Sequence, residues 1–269
     1  MAEGTKKPIP PMILGIITAR MLALRRYPAG LWQCDGVELR ADGLPPAEII
    51  SAVEAFIAEK NRRGFQGPVI FTLRLSRDGG AWEDARSLER EVVWLALAEH
   101  PISLCDIVDI EIEEAASQKQ HIWEKLREKK WKVMLSHHAF VSENEEAWNK
   151  QLTVMSAFKP DAVKFAVTLK NVEQTKSLLH FAREVAWRFP LSCVIGMGET
   201  GRTTRVVSPL LGCPITYAFL EGEPVALGQV SVEVLRACFA DTEGRPGVNG
   251  TEEEWIRWAE RVLQQFSHA

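Results

Sequence analysis

Short runs of β-branched and other apolar residues alternate along the chain with longer stretches in which apolar residues recur every three or four positions. Runs of the first kind predict strands, and stretches of the second kind predict amphipathic helices. The eight predicted strands are residues 12–18, 37–40, 69–74, 107–112, 132–136, 162–167, 191–197 and 215–219. The predicted helices are residues 46–62, 82–99, 115–129, 144–158, 172–188, 203–210, 230–240 and 252–266.

This alternation favours a single-domain (β/α)8 barrel, the TIM-barrel fold, over residues 1–269 with a polar N-terminal tail at 1–11. A new strand begins about every 30 residues, which is the length of one βαβ unit. The alternative is an open, doubly wound sheet, which usually carries a glycine-rich loop after its first strand. Here that strand is followed by Ala19 and Arg20. No change in composition marks a domain boundary.

Composition narrows the class of protein, since 46% of the 269 residues are hydrophobic and 25% are charged, as in soluble globular proteins. The formal net charge of -4 offers no basic field to nucleic acid, so we expect a small-molecule partner. The chain has no run of about 18 apolar residues and no hydrophobic signal region, which predicts that it neither spans a membrane nor is secreted. Five cysteines without a Cys-x-x-Cys pair favour reduced core thiols in a cytoplasmic protein and no metal site.

Charged side chains occupy the strand face opposite the apolar residues. In the sixth strand Val163, Phe165 and Val167 share one face, so Lys164 lies on the other and points into the barrel. The same alternation places these polar residues inside: Glu38, Arg40, Thr72, Arg74, Asp109, Glu111 and Ser136. His138 follows on that side, just past the predicted end of the fifth strand.

Two interpretations of this polar interior stay open. Charges inside a barrel are costly unless they are paired, and here three acids face three bases, so the residues could form a structural layer of ion pairs. Barrel enzymes, however, build their sites at the carboxyl ends of the strands, where these residues lie. The second interpretation, a catalytic or ligand-binding mouth, is therefore favoured.

Lys164 and His138 carry the candidate chemistry. We expect burial and nearby cations to favour the neutral amine of Lys164, which can then attack a carbonyl and form a Schiff base. His138 is the candidate general acid or base. This pair fits an eliminase or an aldolase and does not choose between them.

Two loops add groups for binding a substrate. Residues 197–205 form a glycine-containing loop that leads into a short helix and places Arg205 at its start, where it suits a carboxylate or phosphate. Gly228 and Gln229 precede the next helix and would bring an amide over the mouth.

The ordered set of these segments resembles the type I 3-dehydroquinate dehydratase family across almost the whole chain. The matching segments are Glu38-Leu39-Arg40, Phe71-Thr72-Leu73-Arg74, Asp78-Gly79-Gly80, Val133-Met134-Leu135-Ser136-His137-His138, Val163-Lys164-Phe165-Ala166-Val167, Met197-Gly198, Gly201 with Arg205, residues 211–218, and Gly228-Gln229. The resemblance implies a barrel, usually a homodimer, that converts 3-dehydroquinate to 3-dehydroshikimate by syn elimination of water. It implies no metal and no organic cofactor, and a place in the shikimate pathway of aromatic amino acid biosynthesis.

The resemblance also implies roles for individual residues. Lys164 would form an imine with the C3 ketone, and His138 would remove the C2 proton and protonate the departing C1 hydroxyl. Asp78 falls where the family has the carboxylate that orients the histidine, and Arg205 would hold the substrate carboxylate. The remaining implied substrate-binding residues are Glu38, Arg40, Arg74, Gln229, Met197 and, at the lid, Val225.

Several positions depart from the family's pattern. Asp78 replaces a glutamate and is one methylene shorter, and Ala139 follows the histidine where an acidic residue is common. In the lid Val225 replaces a serine and Leu227 a proline, and Thr204 replaces the serine before the arginine. These departures leave weaker catalysis, an altered substrate or a non-catalytic homologue as alternatives, beside a Schiff-base aldolase.

Overall fold

Nine strands form the framework of the structure, a computed structural model that describes residues 9–113, 120–221 and 228–266. In chain order they are β1 (Met12–Ile17), β2 (Gly36–Arg40), β3 (Val69–Thr72), β4 (Ile107–Glu111), β5 (Lys132–Ala139), β6 (Ala162–Thr168), β7 (Ser192–Met197), β8 (Ile215–Phe219) and β9 (Val230–Ser231). All of the strand pairs are parallel, in the order β7-β6-β5-β4-β3-β2-β1-β8-β9.

The sheet curls until β7 contacts β8, which gives an α/β barrel and confirms the predicted fold class. Helices follow the strands: α1 (Ala19–Leu24), α2 (Pro46–Arg62), α3 (Ser87–Glu99), α4 (Gln120–Glu128), α5 (Glu145–Ala157), α6 (Val172–Arg188), α7 (Thr204–Leu210), α8 (Val232–Ala240) and α9 (Glu252–Phe266). Side-chain caps mark the start of several of them. Asn144, Asn171 and Ser231 each accept a hydrogen bond from a backbone N–H in the first turn of α5, α6 and α8.

Several predicted boundaries differ from those of the structure. The strand predicted at 132–136 continues to Ala139, because its last three residues pair with β6, so His138 lies within β5. The helix predicted at 82–99 begins at Ser87, because Trp82 bridges to Leu75 and its indole donates to the carbonyl of Arg86. The helix predicted at 230–240 begins at 232, because 230 and 231 pair with β8. The helix predicted at 115–129 covers 120–128, and residues 114–119 lie outside the described residues.

Two apolar layers surround the polar interior. The larger layer lies between the strands and the helices and includes Phe165 and Trp148. The smaller layer lies inside the barrel and begins at the amino ends of the strands with Ile70, Ile107 and Ala162. The polar residues come later on the same strands. The barrel interior is therefore apolar at its amino end and charged toward its carboxyl end.

The five cysteines are buried and none is in a disulfide. The described residues contain no helix that is long and apolar enough to cross a membrane.

The loop between β7 and α7 is held close to the strand. Gly201 lies so near Gly196 that a Cβ on Gly201 would come within 2.3 Å of the Gly196 carbonyl carbon. The Thr204 hydroxyl accepts from the N–H of Gly196 at 2.7 Å and donates to the carbonyl oxygen of Gly201 at 2.6 Å. This packing fixes the position of Arg205, the next residue.

We therefore predict that Gly201→Ala destabilises the protein by about 1–3 kcal/mol, the usual cost of forcing an extra methyl into packed structure. Thermal unfolding measures the effect. Gly247→Ala is the matched control, because no atom lies within 4 Å of a Cβ at that position. Equal melting temperatures for the two variants would contradict the close packing of this loop.

Candidate active site

One cavity of about 280 Å³ opens at the carboxyl end of the barrel and contains the predicted site residues. The nine that line it are Glu38, Arg40, Arg74, Asp78, His138, Lys164, Met197, Arg205 and Gln229. Val225, the tenth, lies outside the described residues. The sequence therefore predicted residues that the fold brings together from six of the strands and the segments that follow them.

Lys164 is the third residue of β6 and its side chain is 8% exposed. Its Nζ donates to Glu38 Oε1 at 3.2 Å and to Asp109 Oδ2 at 3.1 Å, and it lies 4.4 Å from the centre of the Tyr217 ring. The expectation that cations surround this lysine is wrong at closest range, because its hydrogen-bonded partners are two carboxylates. These contacts hold the amine at the floor of the cavity.

Arg74 joins the lysine to the rest of the interior. Its Nη2 donates to Asp109 Oδ2 at 2.7 Å, and its Nη1 donates to Ser136 at 2.8 Å and to Glu111 at 3.1 Å. Burial alone would raise the pKa of Asp109, but the charges of Arg74 and Lys164 outweigh it and hold that pKa below its ordinary value. Asp109 is therefore an anion at neutral pH.

His138 faces the same guanidinium, with its Nδ1 3.4 Å from Arg74 Nη1. A guanidinium has no acceptor, so Nδ1 accepts and the ring proton lies on Nε2. Burial, followed by the charges of Arg74 and Lys164, lowers the pKa of His138 well below 6.5. The imidazole is therefore neutral at pH 7, which is the form that can accept a proton.

Asp78 lines the cavity from a 3-10 turn, Ser76–Asp78, in the loop after β3. Burial raises the pKa of its carboxyl to about 6, and the charge of Glu111 adds to the effect. Its nearest ion-pair partner is Arg77, with Nε 3.6 Å from Oδ2. No hydrogen bond joins Asp78 to His138 in the described part of the chain, so the orienting role that the resemblance implies stays a prediction.

Arg40 lies at the end of β2 and is paired with Asp42, not with the central carboxylates. Its Nε and Nη2 donate to the two Asp42 oxygens at 2.8 and 3.1 Å. Asp42 Oδ2 also accepts from the N–H of Ala81 at 2.8 Å. Asp42 thereby ties Arg40 to the loop that carries Asp78.

Met197, Arg205 and Gln229 also line the cavity. Burial lowers the pKa of Arg205 to about 10, so its guanidinium is still charged at neutral pH. Gly228 has φ +73°, and a Cβ there would lie 2.3 Å from the carbonyl oxygen of Gly198. This close approach requires glycine and places Gln229 against the β7 loop.

Sequence reasoning missed four residues at the site: Asp42, Arg90, Phe140 and Tyr217. Phe140 follows β5 directly and lines the cavity, and Tyr217 is on the inner face of β8. Arg90 had a visible signal in the sequence, because it is a charge on the apolar face of α3. Asp42 also had a signal, because its charge lies two residues after Arg40 and continues the alternation of that strand.

The polar interior contains both a layer of ion pairs and a cavity, the two features that the sequence left as alternatives. Asp109 and Glu111, each 1% exposed, lie behind the cavity wall and pair with Arg74. Lys164, His138 and Arg205 reach the cavity itself. The described residues gather no group of three or more His, Cys, Asp or Glu side chains fit to hold a metal ion. The cavity thus offers an amine, a neutral imidazole and a buried guanidinium to a small anionic carbonyl compound.

Fold and cavity together define the class: an α/β-barrel enzyme with a buried lysine at the carboxyl end of the barrel. The family model described as type I 3-dehydroquinase matches residues 23–243, so the chain belongs to that family. Its relatives are named 3-dehydroquinate dehydratase, a hydro-lyase, and the chain is an enzyme of this class.

Two relatives illustrate the similarity. The protein from Methanococcoides burtonii named 3-dehydroquinate dehydratase is 33% identical over 170 residues, covering 63% of this chain and 69% of its own. The protein of the same name from Methanosarcina barkeri is 28% identical over 230 residues, covering 83% of this chain and 91% of its own.

Solved structures share the fold. The 3-dehydroquinate dehydratase of Geobacillus kaustophilus is 20% identical and superposes with a TM-score of 0.70 over 88% of this chain and 91% of its own. The type I enzyme of Clostridium difficile, solved with covalently modified comenic acid, is 20% identical and gives 0.72 over 86% and 91%.

The two adjacent histidines of β5 should titrate in opposite directions. Burial would lower the pKa of His137, but the nearby carboxylates of Glu113 and Glu143 raise it, whereas the pKa of His138 is lowered. We predict that NMR of 15N-labelled histidine shows His137 titrating above 6.5 and His138 below it, with each signal assigned by its alanine variant.

The directions of these two pKa shifts determine how each histidine changes the stability of the protein with pH. His137 contributes stability that is present below pH 6.5 and is lost as pH rises through its folded pKa. The lowered pKa of His138 has the opposite effect. The folded protein loses stability as pH falls below 6.5, because the unfolded chain then binds a proton at His138 before the folded chain does. A His138 signal that titrates at or above 6.5 would contradict the electrostatics of the site.

Proposed function

We propose that this chain eliminates water from 3-dehydroquinate to give 3-dehydroshikimate through an imine on Lys164. The observation that carries the proposal is the position of Lys164 Nζ, buried at the floor of a cavity that His138 and Arg205 also line, in a member of the type I 3-dehydroquinase family.

The first step is addition of Lys164 to the C3 ketone. The ammonium must first lose a proton, and Glu38 Oε1 is within hydrogen-bond reach to receive it. Nζ then bonds to C3, and the resulting carbinolamine loses water to give the iminium ion. The iminium withdraws electrons from C2, which makes the C2 proton acidic enough to be removed at neutral pH.

His138 then moves the protons. It takes the C2 proton, and the electrons of the C2–H bond pass to the iminium nitrogen. The resulting enamine expels the C1 hydroxyl, which receives the proton from His138 and leaves as water. Hydrolysis of the conjugated iminium releases the product and restores Lys164. Because Nδ1 contacts Arg74, that 3.4 Å contact has to open, or the ring has to change tautomer, before His138 acts as a base.

The remaining residues bind the substrate in this proposal. Arg205 receives the carboxylate, because it is a buried cation that lines the cavity. Glu38, Arg40, Arg74 and Gln229 contact the hydroxyls or one another, and Met197 is an apolar wall. Asp78 and Val225 keep the roles that the family resemblance implies, as predictions.

We further propose a cytoplasmic homodimer that serves aromatic amino acid biosynthesis. Light scattering of the purified chain should give twice its 30.2 kDa mass. A mass of one chain at working concentrations would contradict the dimer and leave the reaction proposal standing.

Turnover and trapping test the reaction. With 3-dehydroquinate the protein should produce an ultraviolet absorbance from the conjugated enone. Borohydride added during turnover should reduce the imine and attach one ligand to Lys164, which peptide mass spectrometry locates. Lys164→Ala should lose both the absorbance and the adduct. An adduct on another lysine, or normal turnover by Lys164→Ala, would overturn the mechanism, and an aldolase or a non-catalytic protein would give no enone.

The two histidines provide a matched pair for the second half of the mechanism. We predict that His138→Ala loses turnover by roughly 10²–10⁴-fold, the usual contribution of a general acid–base group, and is still trapped by borohydride. His137→Ala should keep turnover, because that ring lies on the outer face against Phe165. Full activity in His138→Ala would remove it from the mechanism.

A further inference from the structure

Arg90 is a fully buried charge on the helical layer of the barrel. It lies in α3 and is 0% exposed, on the same helix face as Val93, Trp94, Leu97 and Ala98, all of which are buried. Burying a guanidinium among apolar side chains is costly unless a partner compensates for the lost hydration. Arg90 therefore needs a specific partner.

That partner is Glu111, at the end of β4. Arg90 Nη2 donates to Glu111 Oε2, and the guanidinium lies 4.7 Å from the centre of the Trp94 ring. Within the described residues Nε and Nη1 of Arg90 have no hydrogen-bond partner. Arg90 therefore does not lie here to use all of its hydrogen-bond donors. Its position is explained by its charge, which faces the carboxylate of Glu111.

Glu111 connects Arg90 to residues of the cavity. Its other oxygen, Oε1, accepts from Arg74 Nη1 at 3.1 Å and from the N–H of Leu75 at 3.2 Å. The same Arg74 Nη1 lies 3.4 Å from His138 Nδ1, and Arg74 Nη2 binds Asp109, which binds Lys164. Arg90 is thus two contacts away from Arg74 and three from His138.

The charges of this buried cluster balance only when Arg90 is counted. Arg40 is paired with Asp42, which leaves Arg74 and Lys164 as the cations beside three carboxylates, those of Glu38, Asp109 and Glu111. Arg90 supplies the third positive charge. Without it the cluster carries one unbalanced negative charge beneath the cavity.

We propose that Arg90 is a positioning residue that neutralises Glu111 and thereby holds Arg74 against His138 and Asp109. The proposal uses the proposed function only for its kinetic readout. With Arg90 absent, Glu111 competes for Arg74 with the full charge of its carboxylate, and Arg74 shifts away from Ser136 and His138.

The consequence for His138 has a definite sign. Arg74 lowers the pKa of His138, so its displacement raises that pKa, and the added negative charge acts in the same direction. The acidic limb of the kcat/KM profile therefore moves to higher pH. Loss of packing alone would not move it.

A double-mutant cycle with Glu111 tests the proposal. Arg90→Met should lower kcat/KM by roughly 10- to 100-fold and raise the His138 titration, measured by NMR on the unliganded protein. In the Glu111→Gln background, where the carboxylate charge is absent, Arg90→Met should have little further effect on either quantity. Arg90→Lys, which keeps the charge, should recover most of the loss.

Arg86→Met is the matched control, because Arg86 also pairs with a glutamate, Glu89, and lies over a tryptophan, Trp82, but on the surface. It should leave both quantities unchanged. An unshifted His138 in Arg90→Met, or an equal loss with and without Glu111, would overturn the proposal.

The remaining outcomes are also decisive. If Arg90→Met does not fold, the folded Arg90→Lys and Arg90→Met/Glu111→Gln proteins give the same comparison, and unfolding of the double variant contradicts a role through Glu111. Because the NMR readout needs no turnover, a wild-type protein inactive on 3-dehydroquinate would refute the proposed function and still leave Arg90 tested.

Discussion

Charges buried inside the barrel must be paired, and the arrangement of the charged residues around Lys164 follows from this constraint. A lysine in an apolar barrel would be expelled or neutralised, but Lys164 lies between the carboxylates of Glu38 and Asp109. Asp109 also pairs with Arg74, and Arg74 pairs in turn with Glu111, whose second cation is Arg90. The amine is therefore held in place and also has an acceptor for its proton within reach.

Strands and loops position different residues of the site. The strands position Lys164 and His138 through a fixed register, since Ser136 pairs with Lys164 and His138 with Ala166. The loops add Arg205, behind the tight turn at Gly201, and Asp78, behind the Asp42 bridge. Arg205 is also buried and lines the same cavity.

The spacing of strands and helices along the chain was sufficient to predict the fold class, and alternation along the strands was sufficient to predict the inward direction of Glu38, Arg74 and Lys164. It failed where partners come from distant segments. The pairing of Arg40 with Asp42 and of Arg90 with Glu111 depends on how loops and helices pack, and strand periodicity contains no information about that. The end of β5 was misplaced because polar histidines resemble a loop unless their pairing with β6 is known. The missing hydrogen bond between Asp78 and His138 depends on a loop conformation that side-chain type does not determine.

A crystal structure of the protein trapped with borohydride in the presence of 3-dehydroquinate or its product tests the central claim most directly. The account predicts continuous density from Lys164 Nζ to the former ketone carbon and a ligand carboxylate on Arg205. It also predicts that Arg74 still binds Asp109 and Glu111 beneath the ligand. A ligand bound elsewhere, with Lys164 still hydrogen-bonded to Glu38 and Asp109 and no covalent bond, would contradict it.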